Sequence, residues 1–336
     1  MYLAEVEGKG GINAKLVAYS VSPEGKKIAT FELTYHRYIH GEFMTHRLFS
    51  RNAMSSRAVP VNKMLDIIRE TPAMPIHWGK NQPGMQAKEE CKADVNFFFD
   101  GGFGWDRKRD EAWFEAADRA CDIAEAFSKA GYHKQIVNRL VEPFQMMKTV
   151  MTATELDNFF WLRLDADAQP EIYELARCMR ECLMQVEPKL LYPGEWHTPY
   201  VNTDRDFETG ELRYFLGETF TNEGVINKEE ALAISSSCCA QVSYRNLDNT
   251  YEKAMAIYGR LLSGAKVHAS PFEHQSTPME FSDILSHSMR SDDPGEWEKG
   301  VTHVDRQGKF WSANFCGFIQ HRQLLDNHNC TDYQPD

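Results

Sequence analysis

The chain lacks several features that would place it quickly. It has eight cysteines, Cys91, Cys121, Cys178, Cys182, Cys238, Cys239, Cys316 and Cys330, and no CxxC pair among them. They are expected to be free thiols in a reducing cytosol, so a cytoplasmic location follows. Cys178 and Cys182, four apart on an expected helix, read as two small buried residues. No apolar run approaches the ~20 residues a bilayer-spanning helix needs, and the N-terminus has no basic start followed by an apolar core. Basic residues are outnumbered: 37 Lys and Arg face 49 Asp and Glu, a net charge of −12. So acidic a chain is a poor partner for a nucleic-acid duplex, whose affinity comes from phosphate neutralisation. A local basic pocket for a small phosphorylated ligand remains open. P-loop, strand-linked GxGxxG and GxSxG signatures are absent, so a nucleotide cofactor would have to bind in an uncommon way.

What is present is a globular composition over 336 residues, enough for two average domains or one large one. Residues 45–57 concentrate polar donors: three arginines, three serines, His46 and Asn52 in thirteen positions. Arginine forks bind phosphate bidentately, and hydroxyls or backbone N–H groups fill the remaining sites. The interleaved Phe43, Met44, Leu48, Phe49 and Met54 should pull this stretch against a core and make it a pocket wall.

Residues 1–40 read as strands and turns, with turns at Gly8–Gly11 and at Pro23-Glu24-Gly25. A short helix is expected near residues 64–69. Residues 71–107, rich in Pro, Gly and Lys, read as irregular structure serving as a lid or an oligomer contact. An amphipathic helix is expected over 110–130, where Trp113, Ala117, Cys121, Ala124 and Phe127 recur at three and four residues and Gly131 stands at the C′ position. A buried helix is expected around Phe159-Phe160-Trp161. Pro170 should start another, with Ile172, Leu175, Met179 and Leu183 as its buried stripe. Further helices are expected at 228–234 and 249–263, and the stretch 310–325 is strand-like. Residues 43–52 and 318–327 share Phe, His, Arg and Asn at matching positions.

Three further groups carry chemistry. His268-Ala269-Ser270-Pro271-Phe272-Glu273-His274 has two histidines and a glutamate, but their spacing does not match the helical metal motif HExxH. No metal is therefore expected. The segment reads as a turn contacting a polar ligand, as a capped helix start with Ser270 at N-cap and Glu273 at N3, or as both. Asn138-Arg139 precedes a proline turn. Arg163, after the aromatic run, needs a carboxylate or an anionic or uracil-like ligand as partner.

Together these pieces resemble the flavin-dependent thymidylate synthases, the ThyX family. The family's R-H-R-x-x-S-x-N-E-x-S-x-R-Y stands here as Thr45-His46-Arg47, Ser50, Asn52-Ala53, Ser55 and Arg57-Ala58. Its A-R-V-S-[FY] and H-x-[ST]-P-F-E-H segments are echoed by Ala240-Gln241-Val242-Ser243-Tyr244 and by residues 268–274. Its late segments are echoed at 131–143 and 152–172, where Asn158, Phe159, Leu162, Arg163, Ala168, Gln169, Glu171 and Ile172 match. The resemblance touches about half of the chain. The S-P-F-E-H-like segment precedes the R-H-R-like segment in the family and follows it here, which implies a circular permutation.

The resemblance implies an α+β fold, a ThyX-like domain with a central, mostly antiparallel sheet and long helices. Residues 1–336 are expected to form one catalytic domain. Residues 1–200 carry the R-H-R-like loop and nucleotide-binding helices; 201–336 carry the permuted segment and a C-terminal strand. It implies FAD held by His46, Arg47, Ser50, Asn52, Asn158, Ser243, His268, Ser270 and Glu273. A deoxypyrimidine monophosphate would be bound by Glu42, Ser55, Ser56, Arg57, Arg139 and Arg163, with Ser55 and Arg163 nearest the reacting base. Methylenetetrahydrofolate and NADPH are the implied co-substrates, and a homotetramer with shared sites is the implied assembly. The simplest activity is dUMP to dTMP; a 5-hydroxymethylating variant acting on dUMP or dCMP, or a degenerate binding or structural homologue, are the alternatives. Thr45, Ala53, Ala58 and Glu42 depart from the family's Arg, Glu, Tyr and Gln, with Arg51, Gln320 or Arg322 as candidate replacements. Glu42 in place of Gln could accept from an exocyclic amine, which would favour dCMP.

Overall fold

The computed structural model describes residues 2–84, 86–98, 104–217, 224–242, 250–263, 267–284, 293–330 and 332. Ser243, expected at the cofactor, and Gly264, expected to stop a helix, lie outside the described residues. The fold is α+β, with helices packed on a mostly antiparallel sheet. Strands β1 (Ala4–Glu7), β2 (Asn13–Val21), β3 (Lys27–His36) and β4 (Ser50–Ala53) combine with Met146–Ala153 in the order β1, β2, β3, Met146–Ala153, β4. All these pairings are antiparallel. The short strand Lys189–Leu190 adds a parallel partner to β2.

Successive strand residues point to opposite faces, so one strand can serve two cores. On β3, Ala29, Phe31, Leu33 and Tyr35 join the main apolar cluster. Ile28 faces the other way and packs with Phe315 and Phe318. The first face is covered by helix α6, introduced in order with the other helices: α1 (His40–Phe43), α2 (Val61–Glu70), α3 (Arg109–Lys129), α4 (Lys134–Val137), α5 (Asp157–Arg163), α6 (Pro170–Met184), α7 (Lys228–Ala240) and α8 (Tyr251–Leu262). Pro170 starts α6 because its missing N–H costs nothing in a first turn. Ile172, Leu175, Cys178, Met179 and Cys182 are its buried stripe; Leu183 is only half-buried. Gly8 touches this helix, since a Cβ there would sit 2.7 Å from Cys178 Sγ.

The second face is covered by the chain beyond residue 190. Thr30 and Thr152 on the sheet hydrogen-bond to each other at 2.7 Å, to His197 at 2.9 Å and to His274 at 2.8 Å respectively. This buried polar seam joins the C-terminal region to the sheet alongside the apolar contacts of Ile28. A smaller cluster joins α2 and α3 with Val137 and Val141 beside the β4 edge.

Several expectations need correction. In α5 only Phe159 is buried, at 1% exposure, while Trp161 is 76% exposed, so the helix is amphipathic rather than immersed. Helix α7 does not stop at Ile234 but runs to Ala240, started by reciprocal Asn227–Glu230 capping bonds of 2.9 Å. Ser270–Glu273 is a single 3-10 turn preceded by Ala269 and has no side-chain cap. The matching stretches 43–52 and 318–327 differ locally. Phe43 ends a helical turn, whereas Phe318 starts a strand paired with Ser276–Pro278. Within 71–107 the structure adds one hairpin, Val95–Phe98 with Gly104–Arg107.

Candidate active site

Two hollows hold the six residues expected at the nucleotide. The first is a cleft of about 550 Å³ whose walls include Arg37, His40, Ser55, Ser56, Arg57 and Arg139. The loop after β4 supplies the serines and Arg57, and the 3-10 segment Asn138–Phe144 supplies Arg139. Asn138 joins these walls. It is fully buried, and its Nδ2 donates to the carbonyls of Ser56 (2.7 Å) and Val59 (3.0 Å). Arg57 and Arg139 are exposed at the cleft surface; the Arg139 Nε–H turns back to the Gln135 carbonyl at 3.2 Å. Arg37 is held by Glu142 at 2.7 Å. Guanidiniums and hydroxyls without a carboxylate lining the cleft suit a phosphate group.

Glu42 and Arg163 line a different hollow of about 1200 Å³, bordered by Tyr38, Gln169 and Glu171. Arg163 forms an ion pair with Glu42 and donates its Nε–H to His46 Nε2 at 2.9 Å. His46 is therefore an acceptor at that nitrogen. Burial, then the Arg163 and Arg51 charges, push its pKa down to about 4, and the ring is neutral at pH 7. Its ring stands edge-on to Phe159, with centroids 4.8 Å apart. A single chain thus does not bring Arg163 into the Arg57 cleft. The loop joined to α5 in this way carries the exposed Met44 and Leu48, and α5 adds Trp161 and Leu162.

The residues expected at the flavin divide into two groups. Ser50 and Asn52 are buried: Ser50 accepts from Asn314 Nδ2 (3.0 Å) and Gln320 Nε2 (3.2 Å), and Asn52 donates to the Cys239 carbonyl (3.1 Å). Glu273 is paired with Arg322. Arg47, Asn158, His268 and Ser270 are exposed, and their side chains make no hydrogen bond among the described residues. The Ser270–Glu273 turn packs on β4, and Arg51 feels the charges of both Arg47 and Glu273, so the turn and the loop share one surface. Arg47, His268 and Ser270 leave donors exposed on that surface. The candidate replacements for the missing arginine are all engaged: Arg51 with the Phe43 carbonyl at 3.0 Å, Gln320 with Ser50, and Arg322 with Glu273. Sequence reasoning missed Arg37, His40 and the pinning role of Asn138. Among the described residues no group of three or more His, Cys, Asp or Glu could hold a metal ion, and no helix is long and apolar enough to cross a membrane.

The family described as thymidylate synthase complementing protein matches residues 21–189. That span holds both hollows apart from Lys9 but not the Ser270–Glu273 turn. The crystal structure of thymidylate synthase X from Helicobacter pylori with FAD and dUMP is similar at 16% identity and a TM-score of 0.30, over 47% of this chain and 67% of that one. No curated protein matches the chain.

Proposed function

The chain belongs to the thymidylate synthase complementing protein family, and from that premise we propose that it alkylates C5 of a deoxypyrimidine monophosphate in an FAD-dependent reaction. The one-carbon unit comes from methylenetetrahydrofolate, the reductant is NADPH, and the simplest conversion is dUMP to dTMP. The observation that carries this is the convergence of Ser55, Ser56, Arg57 and Arg139 on one cleft from segments about eighty residues apart.

In this reading the cleft binds the nucleotide phosphate, and Ser55 sits on its base-facing side. C5 of uracil is a weak nucleophile, so the site must stabilise negative charge that develops on the ring. Arg163 takes that task, as a preorganised cation at the reacting group. Because Arg163 lies outside the cleft of its own chain, it reaches the base from a neighbouring copy. The exposed Met44, Leu48, Trp161 and Leu162 are the apolar surface that would support such a homo-oligomer. Arg47, Asn158, His268 and Ser270 hold FAD from the outside, while His46, Ser50, Asn52 and Glu273 shape the surface beneath. FAD, when bound, supplies the hydride for the reduction; the protein supplies binding and orientation. The chain acts as one catalytic unit over 1–336, with the family's segments in permuted order. Packing of the Ser270–Glu273 turn on β4 supports that order.

Glu42 favours a second reading. A carboxylate beside Arg163, where the family has Gln, accepts from the exocyclic amine of cytosine and opposes the O4 of uracil, which points to dCMP. Purified protein separates the flavoenzyme from a degenerate homologue. A flavin absorbance band that shifts on adding dUMP or dCMP is expected, and no flavin bound even on addition of FAD would contradict the proposal.

A further inference from the structure

We propose that His40 is a proton-accepting ligand of the phosphate in the Arg57 cleft, so that nucleotide binding there takes up a proton from water. This rests on the reading of that cleft as the phosphate site. His40 stands outside the residues that carry the family resemblance, and only the fold brings it to the cleft wall beside Arg37, Ser55 and Arg57.

Its geometry suits two protonation states. The Tyr35 hydroxyl lies 2.8 Å from His40 Nδ1 and 2.8 Å from Thr149 Oγ1. Tyr35 is fully buried, and burial raises the pKa of its hydroxyl, so the hydroxyl keeps its single proton. When His40 is neutral, the hydroxyl donates to Nδ1 and the imidazole proton sits on Nε2. When His40 is charged, the hydroxyl turns to donate to Thr149 and accepts from Nδ1–H. The switch needs only the Tyr35 and Thr149 hydroxyls to rotate. Nε2 has no partner among the described residues and remains available to an anion.

The charges around the ring set the direction. Burial, then Arg37 and Arg51, hold the His40 pKa below the ordinary histidine value in the free protein. Arg37 is already offset by Glu142, and Arg51 is turned to the Phe43 carbonyl. Arg57 and Arg139 complete the cationic wall. A dianionic phosphate reverses this field and draws a proton onto the imidazole. The proton is bound from water; no covalent bond of the ligand changes.

Calorimetric titration with dUMP at about pH 7.5, repeated in two buffers of different ionisation enthalpy, tests this. At that pH the free phosphate is mainly dianionic. Net proton uptake is expected for the wild-type protein. H40Q should abolish the uptake and weaken binding roughly tenfold. Y35F should keep binding and move the uptake to another pH. Wild-type binding without uptake, or uptake unchanged in H40Q, overturns the proposal. R57A checks the underlying reading. If R57A loses binding while the wild type shows no uptake, only the role of His40 falls. If the wild type binds neither dUMP nor inorganic phosphate, the phosphate-site reading falls and the proposal with it. The wild-type proton count stands even if a variant fails to fold.

Discussion

Arg163 is claimed by two sets of partners. Inside the chain it is tied to Glu42 and His46; in the proposed reaction it must face a nucleotide ring. The ion pair holds the guanidinium in place and also takes up part of its donor capacity. Converting Glu42 to the neutral amide found in the family should release that capacity. Glu42→Gln is expected to raise turnover of dUMP relative to dCMP, measured by competition between the two nucleotides; an unchanged ratio would remove Glu42 from base selection. At the phosphate end, Arg57→Ala should weaken nucleotide binding by ~1.5–3 kcal/mol, the range for hydrogen bonds to charged groups. Equal affinity by calorimetry would place the phosphate elsewhere. The donor density that singles out Ser55, Ser56 and Arg57 is a local property of the sequence, whereas Arg139 was assigned to the site only through the family resemblance. His40 and Arg37 were not legible. Both lie just past the end of β3 outside any recognisable motif, and the partner of Arg37, Glu142, comes from the 3-10 segment about a hundred residues on.

Elements differ in how openly the sequence declares them. Helices α3 and α6 announce themselves by apolar residues at three and four positions and by their end signals, Gly131 at φ +91° and Pro170 in the first turn. Helix α5 misled, because three consecutive aromatics on a helix point in three directions: Phe160 packs half-buried at the edge of the core, Trp161 faces outward, and only Phe159 is fully enclosed. That one, Phe159, is ringed by Phe43, His46 and Phe49 at centroid distances of 6.1, 4.8 and 5.2 Å. Phe159→Ala should cost about 3–5 kcal/mol in denaturant unfolding, the usual price of an emptied aromatic site. Trp161→Ala, on the exposed side, should leave monomer stability nearly unchanged and weaken self-association, which sedimentation at falling concentration would report. The Ser270–Glu273 turn was legible as a chemical motif but not as structure. Its backbone is set by the sheet beneath it rather than by the cap its sequence offered.

Across the whole molecule, the sheet is closed on one face by α6 and on the other by the region after residue 190. The second face is held by a run of polar groups from Ser20 through His197, Thr30 and Thr152 to His274. Burial pushes the pKa of His197 down to about 3, with His274 adding to the effect, and burial alone does the same for His274. Burial likewise brings His321 to about 4, and His46 lies there too. In the unfolded chain these rings take protons near pH 6.5. Below that pH the unfolded state binds more protons than the folded one, so stability falls as pH drops from about 6.5 toward 4. Urea midpoints across that window should decline, and His274→Gln should flatten the decline. This two-faced architecture was only partly legible. The strands of the first forty residues could be read from pattern and the mixed fold was implied by the family resemblance, whereas the return of residues 197 and 274 to one sheet face depends on contacts far apart in sequence.

The central claim is that this chain adds a one-carbon unit to C5 of a deoxypyrimidine monophosphate. It is tested most directly by incubating the purified protein with FAD, NADPH, methylenetetrahydrofolate and either dUMP or dCMP, and weighing the nucleotide product. The account predicts a product heavier by one methylene, or by a hydroxymethyl addition, that forms much more slowly with Arg57→Ala at limiting nucleotide. Recovery of both nucleotides at their starting mass, by a folded protein with FAD bound, would contradict it.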